Sequence, residues 1–336
     1  MLFRAIKRHF STTDHFAQHF KSTFPVHRKR PIRAVGREAE YPVVWKDGTA
    51  ADVRLLLSTI AEKTPGTFKA THESAFDRLL TSQDSRHLVG LLSLTDGGTE
   101  LTLEVGWGTI EIGTPVCENL FELQRVYESA LSLVVESAQS LGMHVLGYGI
   151  HPRTAPTLEL LSPKARYSVL KKVIGQDWLS FTVSASDQLH VDVSRDEMVD
   201  VLNVSNMLSS VVIALCGNSS VYAGQQSAFS SSREGLMSSM PRHGMPSKPF
   251  RSVEDYIDRV CDLPFLMRPT NRGWVSVGGK TFREYASEHG ADWASFLAHD
   301  HYVWHVTFFN IPLFLFFLYS RQLTHIHIQV QRQSTN

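Results

Sequence analysis

Two hydrophobic periods alternate along this chain. A period of two marks strands over Arg33–Pro42, Leu88–Leu94, Leu101–Pro115, Met143–Ile150 and Ser184–Val193. Helical spacing runs through Asp52–Glu62, then Leu120, Leu123, Val126, Tyr127, Ala130, Leu131, Val134, Val135 and Ala138, and again through Asp196–Leu215 and Val253–Val260. Asn119 and Gly142 predict the start and stop of the long middle helix. Pro163 opens another helix through Val169, Leu170 and Val173, and Lys280–Tyr285 begins a further one. Thr95-Asp96-Gly97-Gly98 predicts a hairpin turn, and Asn271-Arg272-Gly273 joins two short strands, Phe265–Arg268 and Trp274–Val277. Ser238–Phe250 reads as a surface loop. No repeat of fixed period runs through the chain. The pattern predicts an α+β fold with an antiparallel sheet and helices packed on one side of it.

The polar face of the strands carries the candidate chemistry. Alternation places Glu38 and Glu40 on one face of their strand, while Glu104 and Glu111 flank Gly106 and Gly108, where a bulge or a close ligand approach fits. Clustered carboxylates in an apolar sheet need something positive between them, and hard oxygen donors suit Mg2+ or Mn2+ bridging nucleotide phosphates. The same glutamates are also compatible with a solvent-facing strand paired to Arg33 or Arg37. On the strand ending at Val193, Gln188, His190 and Asp192 share a face, so His190 suits a metal or phosphate and Gln188 a substrate amide or carboxylate. Arg166 near a helix start opposes the helix dipole, which calls for an anionic partner, and His151 with Arg166 could grip a carboxylate or phosphate.

Composition adds little except at the N-terminus. The 336 residues are 43% hydrophobic, enough for one large domain or two smaller ones, and Lys+Arg 33 equals Asp+Glu 33, which gives no case for a nucleic-acid partner. Cys117, Cys216 and Cys261 are isolated and make neither a disulfide scaffold nor a closed zinc site. Residues 1–33 carry Arg4, Lys7, Arg8, Lys21, Arg28, Lys29, Arg30 and Arg33 against Asp14 alone, the composition of an organelle transit peptide or of a disordered basic tail. The expected organisation is therefore 1–33 as leader or tail, 34–305 as the functional domain and 306–336 as an atypical apolar C-terminal segment. A transit peptide implies a mitochondrion or plastid; otherwise the chain is cytoplasmic.

The motifs in order are Gly36-x-Glu38-x-Glu40, Leu103-Glu104, Ile110-Glu111-Ile112-x-x-Pro115, Leu146-Gly147-x-Gly149-x-x-Pro152, Pro163-Lys164-x-Arg166-Tyr167, Gln188-x-His190-x-Asp192, Asn218-Ser219, Ser231-x-Arg233 and Gly279–Arg283. From about Val35 to Trp304 the chain resembles the glutamate-cysteine ligases of the plant and proteobacterial type and the related carboxylate-amine ligases of the glutamine synthetase-like superfamily. The resemblance implies an antiparallel sheet bent into a funnel, with helices on its outer face. It also implies ATP-dependent joining of the glutamate γ-carboxylate to the cysteine amine through an acyl phosphate, the first step of glutathione biosynthesis. Glu38, Glu40, Glu104 and Glu111 look like the metal carboxylates for Mg2+ or Mn2+, Arg233 like the arginine facing the ATP phosphates, and His190, with Gln188, like polar partners of the nucleotide. Arg166 looks like part of the amino-acid pocket. A different amine acceptor, or a non-catalytic or truncated relative, fits the same motifs.

The departure lies at the C-terminus. Relatives carry a strand of alternating arginines there, whereas Val306–Tyr319 is apolar and broken by Asn310 and Pro312, as a shifted reading frame or retained intron would produce. It is short for a membrane span, which takes about 20 apolar residues. A strand pair is the expected alternative, and stable membrane association is not expected.

Overall fold

The computed structural model describes residues 14–28, 31–74, 86–238, 240, 242–270, 273–290, 292–305, 307–310 and 325–330. A helix, α1 (14–23), precedes β1 (Val35–Trp45), α2 (Val53–Lys63), β2 (Phe68–Ser74), β3 (Arg86–Ser93), β4 (Glu100–Leu103), β5 (Thr109–Gly113), α3 (Leu120–Ser140) and β6 (Met143–Val145). Next come α4 (Ala165–Ile174), β7 (Asp187–Asp192), α5 (Met198–Cys216), β8 (Val221–Tyr222), β9 (Gln225–Gln226), α6 (Ser232–Met237) and β10 (His243–Gly244). The remainder is α7 (Val253–Cys261), β11 (Met267–Thr270), β12 (Gly273–Ser276), α8 (Phe282–His289), α9 (Trp293–Asp300), β13 (Trp304–His305), β14 (Thr307–Asn310) and β15 (His325–Val330).

The main sheet runs β14-β15-β7-β1-β5-β4-β3-β2, with β6 attached to β1, and every pairing in it is antiparallel. The α+β class stands, but the funnel does not: the sheet is flat and open, with helices at its periphery. Closing or curling a sheet requires its end strands to approach with matched tilt and stagger. Here β2 pairs only with β3 and β14 only with β15, so the two ends never meet among the described residues.

One face of the sheet is sealed by α2 and α3. Ala39, Tyr41 and Val43 of β1, Leu91 of β3, Leu101 and Leu103 of β4, and Ile110 and Ile112 of β5 pack with Leu56, Leu57, Ile60, Tyr127 and Val134. Each large side chain so buried contributes roughly 1.5–3 kcal/mol. Helix α3 is set as the pattern predicts, with the Asn119 side chain accepting the amides of Phe121 and Glu122 at 3.0 Å and Gly142 at φ +72 just beyond its end. Because alternation sends Ala39 and Tyr41 into this core, Glu38 and Glu40 project from the opposite face.

Three segments depart from expectation. The Met143 strand stops at Val145, and Leu146–Ile150 becomes a connection whose Ile150 bridges to Ser184. Helix α5 has small polar Ser205, Asn206 and Ser209 buried, with Val204, Met207, Leu208, Val211 and Leu215 more than half exposed. By length and composition α5 is also apolar enough to cross a membrane. Its Met198 and Leu202 are fully buried in the core that holds Phe16 and Tyr256, and the helix lies beside β14 and β15. Lastly, the described part of the basic N-terminus is folded: Phe16, Phe20 and Phe24 are at most 1% exposed, in one core with Tyr256, Phe282 and Phe296. Residues 1–13, 29–30, 306, 311–324 and 331–336, on which parts of the leader and apolar-tail expectations fall, lie outside the described residues.

Candidate functional site

Three carboxylates meet on the open face of the sheet. Register pairs Glu40 of β1 with Glu111 of β5, and Glu104 follows directly after β4. One oxygen from each of Glu40, Glu104 and Glu111 lies within 4.8 Å of the others. Burial first, and Glu104 second, push Glu40 up to about 8, with Arg233 acting in the opposite direction. Burial also raises Glu104, against Lys164 and Arg166, and raises Glu111 well above the carboxylate range, reinforced by Glu104, Glu38 and Glu40. Glu38 stands beside this group, but its Oε1 reaches the Nε2 of His190 at 3.2 Å.

The turn carrying Glu104 is held from below. Trp107 donates its amide to the Leu160 carbonyl, Ser162 its amide to the Val105 carbonyl and its hydroxyl to that of Glu104, and Lys164 Nζ donates to that of Leu103 at 2.5 Å. A Cβ on Gly106 would stand 1.8 Å from the Thr182 carbonyl oxygen. The glycine break therefore serves a close backbone approach, and it keeps Glu104 in place.

The cations follow on α4. Arg166 spreads over the Tyr167 ring at 4.9 Å and lies 3.9 Å from Glu73 of β2. Burial would lower its pKa, but Tyr167, Tyr302, Glu73 and Glu104 raise it overall, so it stays charged. Arg233 is 3% exposed at the start of α6, donates to Glu234 at 2.6 Å, and faces Glu40 electrostatically. Its amide donates to Ser219 Oγ, while Asn218 accepts the Gly149 amide at 3.0 Å and donates to the Gly147 carbonyl at 2.6 Å. The glycine motif, the Asn-Ser pair and Arg233 are thus one assembly.

Gln188 spends its amide protons inside the protein, on Glu40 Oε1 at 2.9 Å and Ser186 Oγ at 2.7 Å, and the Ser186 amide donates to Glu40 Oε2 at 2.7 Å. It orients Glu40. His151 is fully buried, 3.2 Å from Thr109 Oγ1, and burial drives its pKa down to about 4. The pattern also passed over Lys164, Ser162 and Glu73. Lys164 was legible on the grounds that apply to Arg166, a cation at a helix start, whereas Glu73 required knowing that β2 reaches α4.

Three half-buried carboxylates, of which Glu104 raises the pKa of the other two, form a donor set suited to a hard divalent cation. Arg166, Arg233 and Lys164 around them suit phosphate or carboxylate groups.

The model of glutamate-cysteine ligase family 2 (GCS2) matches residues 68–297. The chain is 25% identical over 207 residues to the chloroplastic glutamate–cysteine ligase of Medicago truncatula, covering 58% of this chain and 40% of that protein. It is likewise 25% identical over 211 residues to that of Brassica juncea, with the same coverage of 58% and 40%. The chain thus spans about two fifths of the length of these relatives. A crystal structure of a bifunctional glutathione synthetase from Pasteurella multocida aligns with 54% of this chain and 21% of its own, at 14% identity and a TM-score of 0.30, a likeness too slight to carry an argument.

Proposed function

The chain belongs to glutamate-cysteine ligase family 2, and from that premise we propose that it joins the γ-carboxylate of glutamate to the amine of cysteine at the expense of ATP. The observation that carries this is the convergence of Glu40, Glu104 and Glu111 within 4.8 Å. These three, with Glu38 beside them, would hold Mg2+ or Mn2+. When bound, the metal supplies charge neutralisation at the phosphates.

A carboxylate is a poor electrophile, so the γ-carboxylate oxygen first attacks the terminal phosphorus of ATP, and ADP leaves. The cysteine amine then attacks the acyl carbon, loses a proton, and inorganic phosphate departs. Such transfers depend on positioning and charge stabilisation more than on a general base. Arg233 faces the phosphates, Arg166 orients the amino-acid carboxylate, Gln188 fixes Glu40, and His190 fixes Glu38. The basic composition of 1–33 and the chloroplastic plant relatives support an organelle, a plastid above all, as the compartment. Because residues 14–28 are built into the fold, a removable leader would end before residue 14.

A second reading, a slow relative that binds nucleotide, is favoured by β15. This strand, His325–Val330, pairs along the whole of β7 and contains no arginine. Losing one preorganised stabiliser costs roughly 3–4 kcal/mol in a transition state. Phosphate release measured with each substrate omitted in turn tests the ligase. Mg2+-dependent release should require glutamate and accelerate with cysteine, and equal hydrolysis with and without amino acids would overturn it. Grafting an arginine-bearing strand in place of 306–336 separates the two readings, since only the slow relative gains turnover.

A further inference from the structure

Two histidines stand one helical turn apart on the outer side of α1. In His15-Phe16-Ala17-Gln18-His19 both histidines are exposed, while Phe16, Ala17 and the following Phe20 are buried in the α7–α9 core. A spacing of four residues puts two side chains on one helix face, the arrangement by which paired histidines chelate zinc. Their ring centroids lie 4.8 Å apart.

That separation fits coordination by a single ion. A zinc ion about 2.0–2.1 Å from one nitrogen of each ring stands about 3.2 Å from each ring centre, so two imidazoles at about 90–110° around it have centres roughly 4.5–5.2 Å apart. The observed distance falls inside this interval. His19 is also held in place, because its ring lies 5.4 Å from that of Trp293 of α9, which packs on the same core. Less rotamer freedom is then lost on taking a metal.

We infer that His15 and His19 form a two-ligand site for a borderline divalent transition ion such as Zn2+. No third protein ligand joins them among the described residues, so water completes the shell. Imidazole suits such an ion, whereas Mg2+ takes oxygen donors, so this site and the carboxylates on the sheet hold different metals. Chelation requires α1 to be helical. The ion therefore stabilises α1 in its folded form.

The test is calorimetric titration of the untagged full chain with Zn2+ in excess Mg2+, beside thermal unfolding with and without Zn2+. The parent should bind Zn2+ and unfold at higher temperature with it. His15→Gln, and His19→Phe, which keeps a ring against Trp293, should each lose at least about tenfold in affinity, together with that rise. Combining Asp14→His with His15→Gln keeps two histidines but sets them five residues apart and off one face, and should lose as much. If the His19 variant does not fold, the His15 variant carries the same expectation. A parent that binds no Zn2+, or folded variants that bind it as tightly as the parent, would overturn the inference.

Discussion

His190 Nε2 lies 3.2 Å from Glu38 Oε1, a diagonal contact between β7 and β1, where Glu38 itself stands opposite Gln188. The imidazole fixes the one glutamate of the group that does not join the other three. Replacing His190 by Ala should therefore lower turnover about 10–100-fold, the usual range for partners that orient a metal ligand. His190→Asn, which keeps a polar group, should recover most of it. Steady-state phosphate release at saturating substrates is the measurement, and full activity of the Ala variant would remove His190 from the site.

Glu40 is held at both oxygens, by Gln188 and by the Ser186 amide. Gln188→Leu removes one of those donors while leaving the carboxylate present. Mn2+ affinity should fall about tenfold, worth about 1.4 kcal/mol, with little change in secondary structure. Calorimetric titration with Mn2+ reads this directly, and an unaltered affinity would show that Ser186 suffices.

At Gly106 an added Cβ would meet the Thr182 carbonyl oxygen at 1.8 Å. Gly106→Ala must displace backbone, so it should destabilise by more than about 4 kcal/mol, beyond the usual range for point substitutions. Denaturant titration checks the magnitude. A loss below about 1 kcal/mol would mean that the turn bearing Glu104 relocates easily.

The hydroxyl of Tyr256 donates to Asp300 at 2.7 Å in a fully buried setting that also contains Arg242 and Cys261. Burial pushes Asp300 up to about 7, against the Tyr256 hydrogen bond and Arg242. The unfolded carboxyl titrates near 3.9, so between those values the native state binds more protons than the unfolded state. This contribution is complete below pH 4 and is lost as pH rises through about 7, on the order of 2 to 3 kcal/mol between pH 5 and 7.5. Asp300→Asn should flatten stability across that window by the same order, as urea titrations at the two pH values would reveal. An identical slope in the variant would count against it.

Phe20 is fully buried and its ring centroid lies 5.4 Å from that of Phe24 and 5.6 Å from that of Tyr256. Phe20→Ala should cost about 3–5 kcal/mol, whereas Val26→Ala, at a side chain more than half exposed in the same segment, should cost less than about 1 kcal/mol. Thermal unfolding of both variants distinguishes them. Equal effects would mean that α1 does not contribute to the core in solution.

Much of this was legible from local pattern. The alternation that put Glu38 and Glu40 on one face, the Asn119 cap and the apolar stripe of α3 depend on neighbours in sequence, and the structure keeps them. What was not legible depends on distant partners. The open sheet follows from which strands end at its edges. Gln188 turned inward because Glu40 lies across the β1–β7 pair and Ser186 stands two residues before it. Basic residues among Ser and Thr around Phe16, Phe20 and Phe24 resemble a leader in composition. Yet Lys21 pairs with Glu254, Arg28 with Glu197 at 2.9 Å, and Arg195 donates to the Phe24 carbonyl at 3.1 Å. Periodicity in α5 identified an apolar helix but not that Ser205, Asn206 and Ser209 would be buried along with Met198 and Leu202.

On the organelle reading proposed above, the burial of α1 would set folding and targeting in competition. Phe16, Phe20 and Phe24 vanish into the α7–α9 core once the chain folds, so a receptor that reads them must engage the chain while it is still unfolded. A peptidase cutting after residue 24 would leave an open apolar trough where the three rings had been, and the cleaved protein would refold poorly or seek a substitute to fill it. Mass spectrometry of the mature N-terminus should consequently find residues 14–28 still attached to the folded protein.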